Sequence, residues 1–378
     1  MQVKARVGVD VGASELVARL WRAGEEQDAR FPNNPDGYRG VIRWAGKQAQ
    51  VCMEATGVYH LGLALALRRA GIAVMVINPR IAKDYARSKG NRSKTDRVDA
   101  KVLLDYVTRM DFQPWDPPRP AVLELRELGR RMEELTGTLV MEKNRLHAKK
   151  VSSLSGTVAQ DVRGHIEQIS RRIVKIESTA LTVIKSDGDL LEQYTMLLRG
   201  KGIGKRSAIQ LLAELAVLDP TMTVREVVAH AGLDPRVEES GTSVAKPPRI
   251  SRVGNARVRR ILYMPALSAI KHHEGPRGFY ESLVARGKKR MQAVVAVMRK
   301  MLHGVWIVMQ RRVGFDHGVL FSAWLAQAES SDSAVGAKQP ERESAHPQGR
   351  SEAKELRKQL EPTPAEATRG GTKRRRAA

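Results

Sequence analysis

Cysteine and aromatic residues are scarce in this chain. The single Cys52 among 378 residues excludes a disulfide framework and any zinc site built from several thiolates. Its apolar surroundings predict a buried side chain that behaves as a small hydrophobic residue. Aromatic residues make up only 4% of the sequence, which argues against an extended recognition surface of stacked bases.

Long apolar runs are also missing. The sequence contains no stretch of about 18 uncharged apolar residues, and its N-terminus lacks the regions of a signal peptide. We therefore expect a protein of the cytoplasm that does not enter a membrane. Acidic residues are in deficit, because 65 Lys and Arg against 41 Asp and Glu give a net charge of +24. This excess predicts a polyanionic partner, usually nucleic acid.

Strands alternate with helices over about the first 110 residues. Period-two patterns predict a hairpin over 5–11 and 15–21 and a third short strand near 28–31. Further on, the sequence predicts helices at 35–47 and 58–70 and strands at 50–54 and 72–77. Such alternation predicts an α/β domain with a mixed sheet.

Four acidic residues stand at the ends of these elements. Asp10 and Glu54 close two separate strands, and Asp96 and Asp99 share the first turn of a later helix. Ligands of an open α/β sheet bind outside the carboxyl ends of its strands, so these side chains can converge. Repelling carboxylates of this kind suit two Mg²⁺ ions, with Mn²⁺ as an alternative. The competing interpretation of Asp96 and Asp99 is an ordinary solvated helix start.

The approach to that helix is strongly basic. Its cations either form a solvated face or, because of their sign and place, contact phosphates. The residues that we expect to contact nucleic acid here are Arg80, Arg87, Lys89, Arg92, Lys94 and Arg97.

A proline-rich linker at 114–120 precedes a helical region. Apolar residues at three- and four-residue spacing predict one long helix from Leu125 to Leu146 and another around Ile166 to Ile176. The two helices can pack antiparallel within one chain or form a coiled coil between chains. The sequence leaves both arrangements open.

A glycine-rich turn begins the third region. Gly202 and Gly204 precede Lys205 and an apolar helix, an arrangement like that of a helix-hairpin-helix element, whose free backbone N–H groups contact phosphates. An ordinary glycine turn is the alternative.

Further along, Ser240 stands in a predicted loop, followed by a basic segment that contains Arg252, Arg257 and Arg260. By its chemistry alone a loop serine receives no role, because a nucleophilic serine needs a base or metal and cations to hold the phosphate.

Four motifs of the first region carry a family resemblance. Residues 8–11 (GVDV), 53–59 (MEATGVY), 77–80 (INPR) and 94–100 (KTDRVDA) resemble the successive signatures of the DEDD insertion-sequence transposases, the IS-one-ten family. That family includes DNA invertases and recombinases guided by a bridge RNA. The resemblance implies an RNase H-like (RuvC-like) domain over 1–115 that binds metal through Asp10, Glu54, Asp96 and Asp99.

The later motifs resemble the same family. The Ser-Gly pair at 240–241 and residues 250–260 (ISRVGNARVRR) are similar to its C-terminal transposase domain, here 191–327 and mainly α-helical. The resemblance implies that Ser240 attacks DNA and forms a transient covalent phosphoserine link. Glu239 stands where many relatives have a second serine, and Ser243 remains a weaker candidate.

The resemblance also implies partners. They are double-stranded DNA, as element ends and target, a noncoding guide RNA, and further copies of the chain in a dimer or tetramer. Active sites would combine the acids and serine of different subunits, assembled by a helical, coiled-coil spacer over 116–190, in the bacterial cytoplasm at the nucleoid. Residues 328–378 are expected to form a disordered basic tail.

Three other functions are compatible with parts of the sequence. A RuvC-like junction nuclease would use the metal and water without Ser240, and a non-catalytic scaffold would only bind nucleic acid. An actin-like sugar kinase is suggested by residues 9–14, but it would need further glycine-rich nucleotide loops, and a charge of +24 does not suit it.

Overall fold

The computed structural model describes residues 3–321, apart from 56, 58, 91–94, 153–155, 201 and 241–243. Met1–His317 form one compact unit, to which all the elements below belong, and Gly318–Ala378 form a second. The predicted tail, Arg92 and Lys94 therefore lie outside the described residues. The division of the chain into domains at about 115 and 190 stays a prediction.

A mixed five-stranded sheet forms the first region, as the sequence predicts. Its strands are β1 (Ala5–Val11), β2 (Glu15–Arg22), β3 (Glu25–Pro32), β4 (Ala49–Glu54) and β5 (Ala73–Ile77), in the order β3-β2-β1-β4-β5. Strands β1, β2 and β3 are antiparallel neighbours, whereas β1, β4 and β5 run parallel. Strand β3 is longer than predicted because it pairs with β2 along its whole length.

Helices cover both faces of this sheet. They are α1 (Pro35–Ala45), α2 (Tyr59–Arg69), α3 (Pro79–Ser88) and α4 (Asp96–Arg109). Helices α1 and α2 bury Val41 and Leu63 in one core cluster, while α3 and α4 contribute Ala82 and Leu103 to the other. Cys52 is fully buried in this second cluster, which confirms the expectation of a small core residue.

Two long helices follow the sheet. Helix α5 (Pro120–Ser152) and helix α6 (Gly156–Ser186) pack against each other within the chain as an antiparallel pair. Their contact includes a buried acid, Glu142, which accepts a hydrogen bond from Arg145 at 2.6 Å and lies 3.6 Å from the His165 ring nitrogen on α6. The structure thus shows the intrachain arrangement, and a coiled coil between chains stays a prediction.

The last region is mostly helical. Its elements are α7 (Gly188–Leu198), α8 (Lys205–Leu215), α9 (Val224–His230), β6 (Pro235–Ser240), β7 (Val244–Ile250), α10 (Ala256–His272), α11 (Glu274–Ala285) and α12 (Arg290–Arg311). Helix α12 is long and apolar enough to cross a membrane, but 56% of its most apolar window is buried inside the protein. It therefore has the character of a core helix.

One prediction for this region is wrong. Ser240 was expected in a loop, but it is the last residue of β6 and pairs with Val244 of β7. The two strands form an antiparallel hairpin with a register shift between Arg236 and Glu238.

Candidate functional site

Parallel strand pairing brings the first two acids together. The register pairs Val9 of β1 with Met53 of β4, so the next residues, Asp10 and Glu54, emerge at the same edge of the sheet. Both are partly exposed there. This is the carboxyl edge of two neighbouring parallel strands, where open α/β sheets bind ligands.

A close backbone contact brings helix α4 to this edge. A Cβ atom added to Gly8 would lie 2.3 Å from both the Ala100 carbonyl oxygen and the Leu104 nitrogen. Only glycine lets the α4 backbone lie so close to β1. Because Asp96 and Asp99 occupy the first turn of α4, this contact places both beside the end of β1. The hydroxyl of Thr95 caps the helix by accepting the Val98 N–H at 3.3 Å.

The charges of the other three acids act on Asp10. Burial raises the pKa of Asp10, and the charges of Asp99, Asp96 and Glu54 raise it further, to about 6. A hydrogen bond with the Val11 backbone acts in the opposite direction and is outweighed. We call this set the acid cluster; its members are Asp10, Glu54, Asp96 and Asp99.

The donor chemistry of the acid cluster suits a hard divalent cation, which carboxylate oxygens bind. Among the described residues, no three His, Cys, Asp or Glu side chains lie close enough together to hold a metal ion as they stand. Carboxylates that repel each other through space are expected to stand apart until a cation draws them in. Asp96 is exposed, so rotation of its side chain would meet little steric resistance.

Asn33 joins the loops next to the acid cluster. Its side-chain amide donates to the carbonyl oxygens of Gly12, at 2.7 Å, and Tyr59, at 3.3 Å, while its oxygen accepts the Tyr38 hydroxyl at 2.8 Å. Gly12 follows the end of β1, and Tyr59 begins α2 just after β4. Asn33 therefore holds together the two segments that follow Asp10 and Glu54.

The basic flank is largely engaged in ion pairs. Within the described part of the chain, these pairs are Arg80 and Arg87 with Asp84, Lys89 with Asp105, and Arg97 with Asp28. Most of these side chains are well exposed, so a phosphate can compete with the carboxylate for them.

The glycine turn leaves the start of α8 uncovered. Gly202 has a φ of 106°, which favours glycine, and Gly204 is the N-cap residue without a side-chain cap. Within the described residues, no atom lies within 4 Å of a Cβ built at Gly204. Lys205 beside it is exposed, and no ion pair involves it in the described residues. Free helical N–H groups and a nearby cation are the features that hold a phosphate.

The base of the Ser240 hairpin is firmly anchored. Asp234 and Ser251 flank the hairpin, and the Ser251 hydroxyl donates to the Asp234 carboxylate at 2.5 Å while its N–H donates to the Asp234 carbonyl at 2.9 Å. Gly254, with a φ of 115°, lies so close to His230 that a Cβ would clash with the His230 carbonyl oxygen at 2.1 Å. Ser251 and Gly254 of the basic segment therefore hold the base of the hairpin against the end of helix α9 and the residues that follow it.

Two of the predicted nucleic-acid contacts form ion pairs within the chain. Arg257 and Arg260 each lie 2.7 Å from the Glu133 carboxylate of α5. Arg252 is different. Its side chain is exposed, its backbone has a φ of 53°, and it has no ion pair among the residues that the structure describes.

Sequence reasoning missed Gly8, Asn33 and the buried Glu214. Arg130 and Asn255 donate to Glu214 at 2.9 and 2.7 Å, which ties α5 and α10 to α8. A glycine inside the predicted first strand was a usable signal, since glycine there marks a close backbone approach.

Two transposase family models match this chain. A family model for DEDD transposases of the IS110 type matches residues 7–150, and the model described as "Transposase IS116/IS110/IS902 family" matches residues 194–281. The first match contains the whole acid cluster, and the second contains the hairpin with Ser240.

Two relatives match along most of the chain, and a third matches a shorter part of it. It is 26% identical over 320 residues to the pilin gene-inverting proteins of Moraxella bovis and Moraxella lacunata, covering 83% of this chain and 98% of each relative. It is also 29% identical over 99 residues to an uncharacterised insertion element IS110 protein of Streptomyces coelicolor, covering 26% of this chain and 24% of that protein.

Among solved structures, T. thermophilus RuvC in complex with a Holliday junction substrate is similar at 13% identity. The match covers 30% of this chain and 99% of RuvC, with a TM-score of 0.23.

Proposed function

This chain belongs to the IS110 family of DEDD transposases and is therefore a DNA recombinase; we propose that the acid cluster is its metal-binding catalytic centre. The observation that carries the proposal is geometric: the strand register sets Asp10 and Glu54 at one edge of the sheet, and the close contact at Gly8 holds the helix of Asp96 and Asp99 against β1. The raised pKa of Asp10, about 6, agrees with that arrangement. A protein gains nothing in stability from such repulsion, so a cation is the natural reason to keep it.

The proposed ligands are the four carboxylates of the acid cluster, and the proposed ions are two Mg²⁺, with Mn²⁺ as the alternative. When bound, such ions would activate an attacking hydroxyl and stabilise the leaving oxygen of a phosphoryl transfer. The chain itself contributes the orientation, because Gly8 fixes α4 against β1 and Asn33 joins the loops that follow the two strands.

The proposed fold of residues 1–115 is RNase H-like, that is, RuvC-like. Support comes from the strand order β3-β2-β1-β4-β5, in which three antiparallel strands are continued by two parallel ones. Helices lie on both faces, and the acids stand at the ends of the central strands β1 and β4.

Ser240 is the proposed nucleophile. Its oxygen would attack a DNA phosphorus and form a phosphoserine, while the bond from phosphorus to one strand's terminal oxygen breaks. That oxygen leaves as a hydroxyl, taking up the proton that the serine loses. A hydroxyl of another strand end would then attack the phosphoserine, which joins the strands and restores the serine. Family resemblance supports this assignment, as does the anchored base of the hairpin.

We further propose that Ser240 and the acid cluster of one active site come from different subunits of a dimer or tetramer. Long helices α5 and α6 offer the surface for that assembly. A net charge of +24 supports binding to element ends, target DNA and a noncoding guide RNA. The proposed location is the bacterial cytoplasm, at the nucleoid.

The proposed phosphate contacts fall into two groups. Lys205 and Arg252 are exposed and free of ion pairs in the described chain, and Gly202 and Gly204 offer backbone N–H groups. The second group would have to exchange a carboxylate partner for a phosphate, and its members are Arg80, Arg87, Lys89, Arg97, Arg257 and Arg260. Arg92 and Lys94 complete the proposed set from outside the described residues.

A trapping assay tests the proposal. The protein is incubated with its element-end DNA, the flanking transcript and Mg²⁺, and a denaturing gel then shows whether a protein–DNA adduct forms. We expect an adduct that disappears in Ser240→Ala and, separately, in Asp99→Asn, but persists in the matched control Ser243→Ala.

Each other outcome identifies an alternative. If DNA is cleaved without an adduct and the cleavage depends on Asp99, the protein is a RuvC-like nuclease that uses water. Recombination that survives substitution of the whole acid cluster would leave a nucleic-acid-binding scaffold.

A further inference from the structure

A cleft lies beside helix α4, and none of the four residues of the acid cluster is in its lining. Its volume is 510 Å³, within the range of about 300 to 1,000 Å³ that is usual for small-molecule sites. Strand β2, helix α3 and helix α4 line it, and its important side chains are Trp21, Tyr85, Lys89, Lys101, Asp105 and Arg109.

The acids of this cleft already have partners. Asp105 lies 2.8 Å from the Lys89 ammonium and accepts hydrogen bonds from Arg109 at 2.6 Å and from the Tyr85 hydroxyl at 2.7 Å. Glu26 at the rim accepts a hydrogen bond from Arg19 at 2.8 Å. Neither carboxylate is therefore available to attract a cationic ligand.

Lys89 and Arg109 are paired with Asp105, but one cation of the cleft has no such partner among the described residues. Lys101 lines the cleft, is exposed, and forms no hydrogen bond or ion pair in the described part of the chain. Arg6 does not line the cleft, but its guanidinium lies 5.9 Å from the centre of the Trp21 ring, and its Nε is buried without a hydrogen-bond partner among the described residues. Apolar rings beside an unpaired cation suit a ligand with a flat apolar part and an anionic part.

We propose that this cleft binds one unpaired nucleotide, with its base on the Trp21 and Tyr85 rings and its phosphate at Lys101. Every base has a π face, so aromatic contact of this kind needs no particular sequence. A low aromatic content excludes an extended stacking surface, but a single cleft needs only two rings.

The position of the cleft links it to the active centre. Val98 and Lys101 line the cleft, and both lie within two residues of Asp99 on α4. A nucleotide held there would keep its strand beside the acid cluster. The inference rests on the proposed function, because it takes the nucleotide to belong to the DNA or RNA that the recombinase handles.

Photochemical cross-linking of the full-length protein tests the site. The probes are a short thymidine oligodeoxynucleotide and a short uridine oligoribonucleotide, each with one 5-iodouracil base that cross-links to aromatic rings it contacts. We expect the cross-linked peptide to contain Trp21 or Tyr85, and the probe that gives it identifies the strand as DNA or RNA. Cross-links confined to other residues with both probes would overturn the proposal.

Binding measurements with matched variants give an independent test. Trp21→Leu is compared with Trp44→Leu, which removes a ring on the other core cluster, and Lys101→Ala is compared with Lys47→Ala, another exposed lysine of the same region. Fluorescence anisotropy with the same probes should show binding roughly tenfold weaker for Trp21→Leu than for its control. Lys101→Ala should also reduce the salt dependence of binding.

Equal affinities for the cleft variants and their controls would contradict the site. Lys101 is exposed, so Lys101→Ala keeps the test valid even if Trp21→Leu impairs folding. The cleft and the active centre can fail separately. Loss of the serine adduct with an intact cross-link at Trp21 would refute only the proposed chemistry, and the reverse result would refute only the cleft.

Discussion

Buried carboxylates have opposite surroundings in the sheet and in the helical regions. In the sheet, burial raises the pKa of Asp10, and neighbouring acids raise it further, to about 6. In the helices, burial also acts to raise the pKa of Glu214, but hydrogen bonds from Arg130 and Asn255 hold it below its usual range. The ionised carboxylate of Asp10 is destabilised by neighbouring acids, whereas the ionised carboxylate of Glu214 is stabilised by its hydrogen-bond donors.

The difference separates a structural site from the proposed functional one. Glu214 joins three helices, because α5 and α10 both donate to it on α8. An acid that holds helices together needs its partners inside the fold. The acid cluster gathers like charges instead, which fits side chains whose partner is a bound cation.

Removing the charge of Asp10 should give the largest change. Asp10→Asn would remove one of the proposed metal ligands, so DNA cleavage should fall by about a thousandfold or more, as expected when several kcal/mol of transition-state stabilisation are lost. Without metal, the free energy of unfolding of the same variant should rise by about 1 kcal/mol, because the charge that the other acids repel is removed. Solvent screening of the partly exposed Asp10 keeps this gain small.

Cleavage assays and denaturant unfolding measure these two effects. Glu25→Gln, at an exposed acid of β3, is the matched control and should change neither. Cleavage by Asp10→Asn at the rate of the natural protein, or a lower free energy of unfolding for this variant, would refute the contrast with Glu214.

Removing the charge of Glu214 should have the reverse effect on stability. Glu214→Gln leaves the partly buried Arg130 without its carboxylate, so the free energy of unfolding should fall by about 3 kcal/mol. The exposed pair of Arg131 with Glu134 on α5 gives the control, and Glu134→Gln should cost less than about 1 kcal/mol. Similar urea midpoints for the two variants would show that the buried pair contributes no more than the exposed one.

Separating α4 from β1 should damage the acid cluster without altering an acid. In Gly8→Ala the new methyl group meets the backbone of α4, which should cost about 2 kcal/mol of stability and weaken Mn²⁺ binding. Gly137→Ala, at a helical glycine with open space around it, should instead stabilise the protein by about 0.5 to 1 kcal/mol. Unchanged Mn²⁺ affinity in Gly8→Ala would mean that the close contact does not position Asp96 and Asp99.

Asp105 should give the smallest effect, seen only in acid. Burial tends to raise its pKa, but hydrogen bonds from Lys89, Arg109 and Tyr85 lower it to about 2, below its ordinary value of 3.8. Because the folded pKa is the lower one, its contribution is complete above about pH 4 and is lost as the pH falls towards 2. After solvent screening the contribution should be less than about 1 kcal/mol.

Urea unfolding between pH 2 and pH 5 measures that contribution. The difference in stability between the natural protein and Asp105→Asn should shrink as the pH falls. A difference that stays constant across this range would mean that Asp105 is not held by its three partners.

Local patterns predicted the sheet well because its strands alternate apolar and polar residues or form short apolar runs. The hairpin of β6 and β7 was missed because its strands lack such patterns. Strand β7 contains Pro247 and Pro248, and strand β6 ends in Glu238, Glu239 and Ser240, so neither has a strand-like composition.

Partners that are distant in the sequence could not be predicted. Arg97 pairs with Asp28 across 69 positions, and Arg257 pairs with Glu133 across 124. Nothing in the local sequence distinguishes these arginines from Arg252, which is free of ion pairs in the described residues. Gly8 was visible in its motif, but the helix that packs against it comes about ninety residues later.

Thermal unfolding with and without a divalent cation tests the central claim most directly. A ligand that binds only the folded state raises the melting temperature. We predict that MgCl₂ or MnCl₂ raises the Tm of the natural protein, whereas Asp10→Asn starts from a higher metal-free Tm and responds much less. A lower starting Tm for Asp10→Asn, together with an undiminished response to metal, would contradict the account.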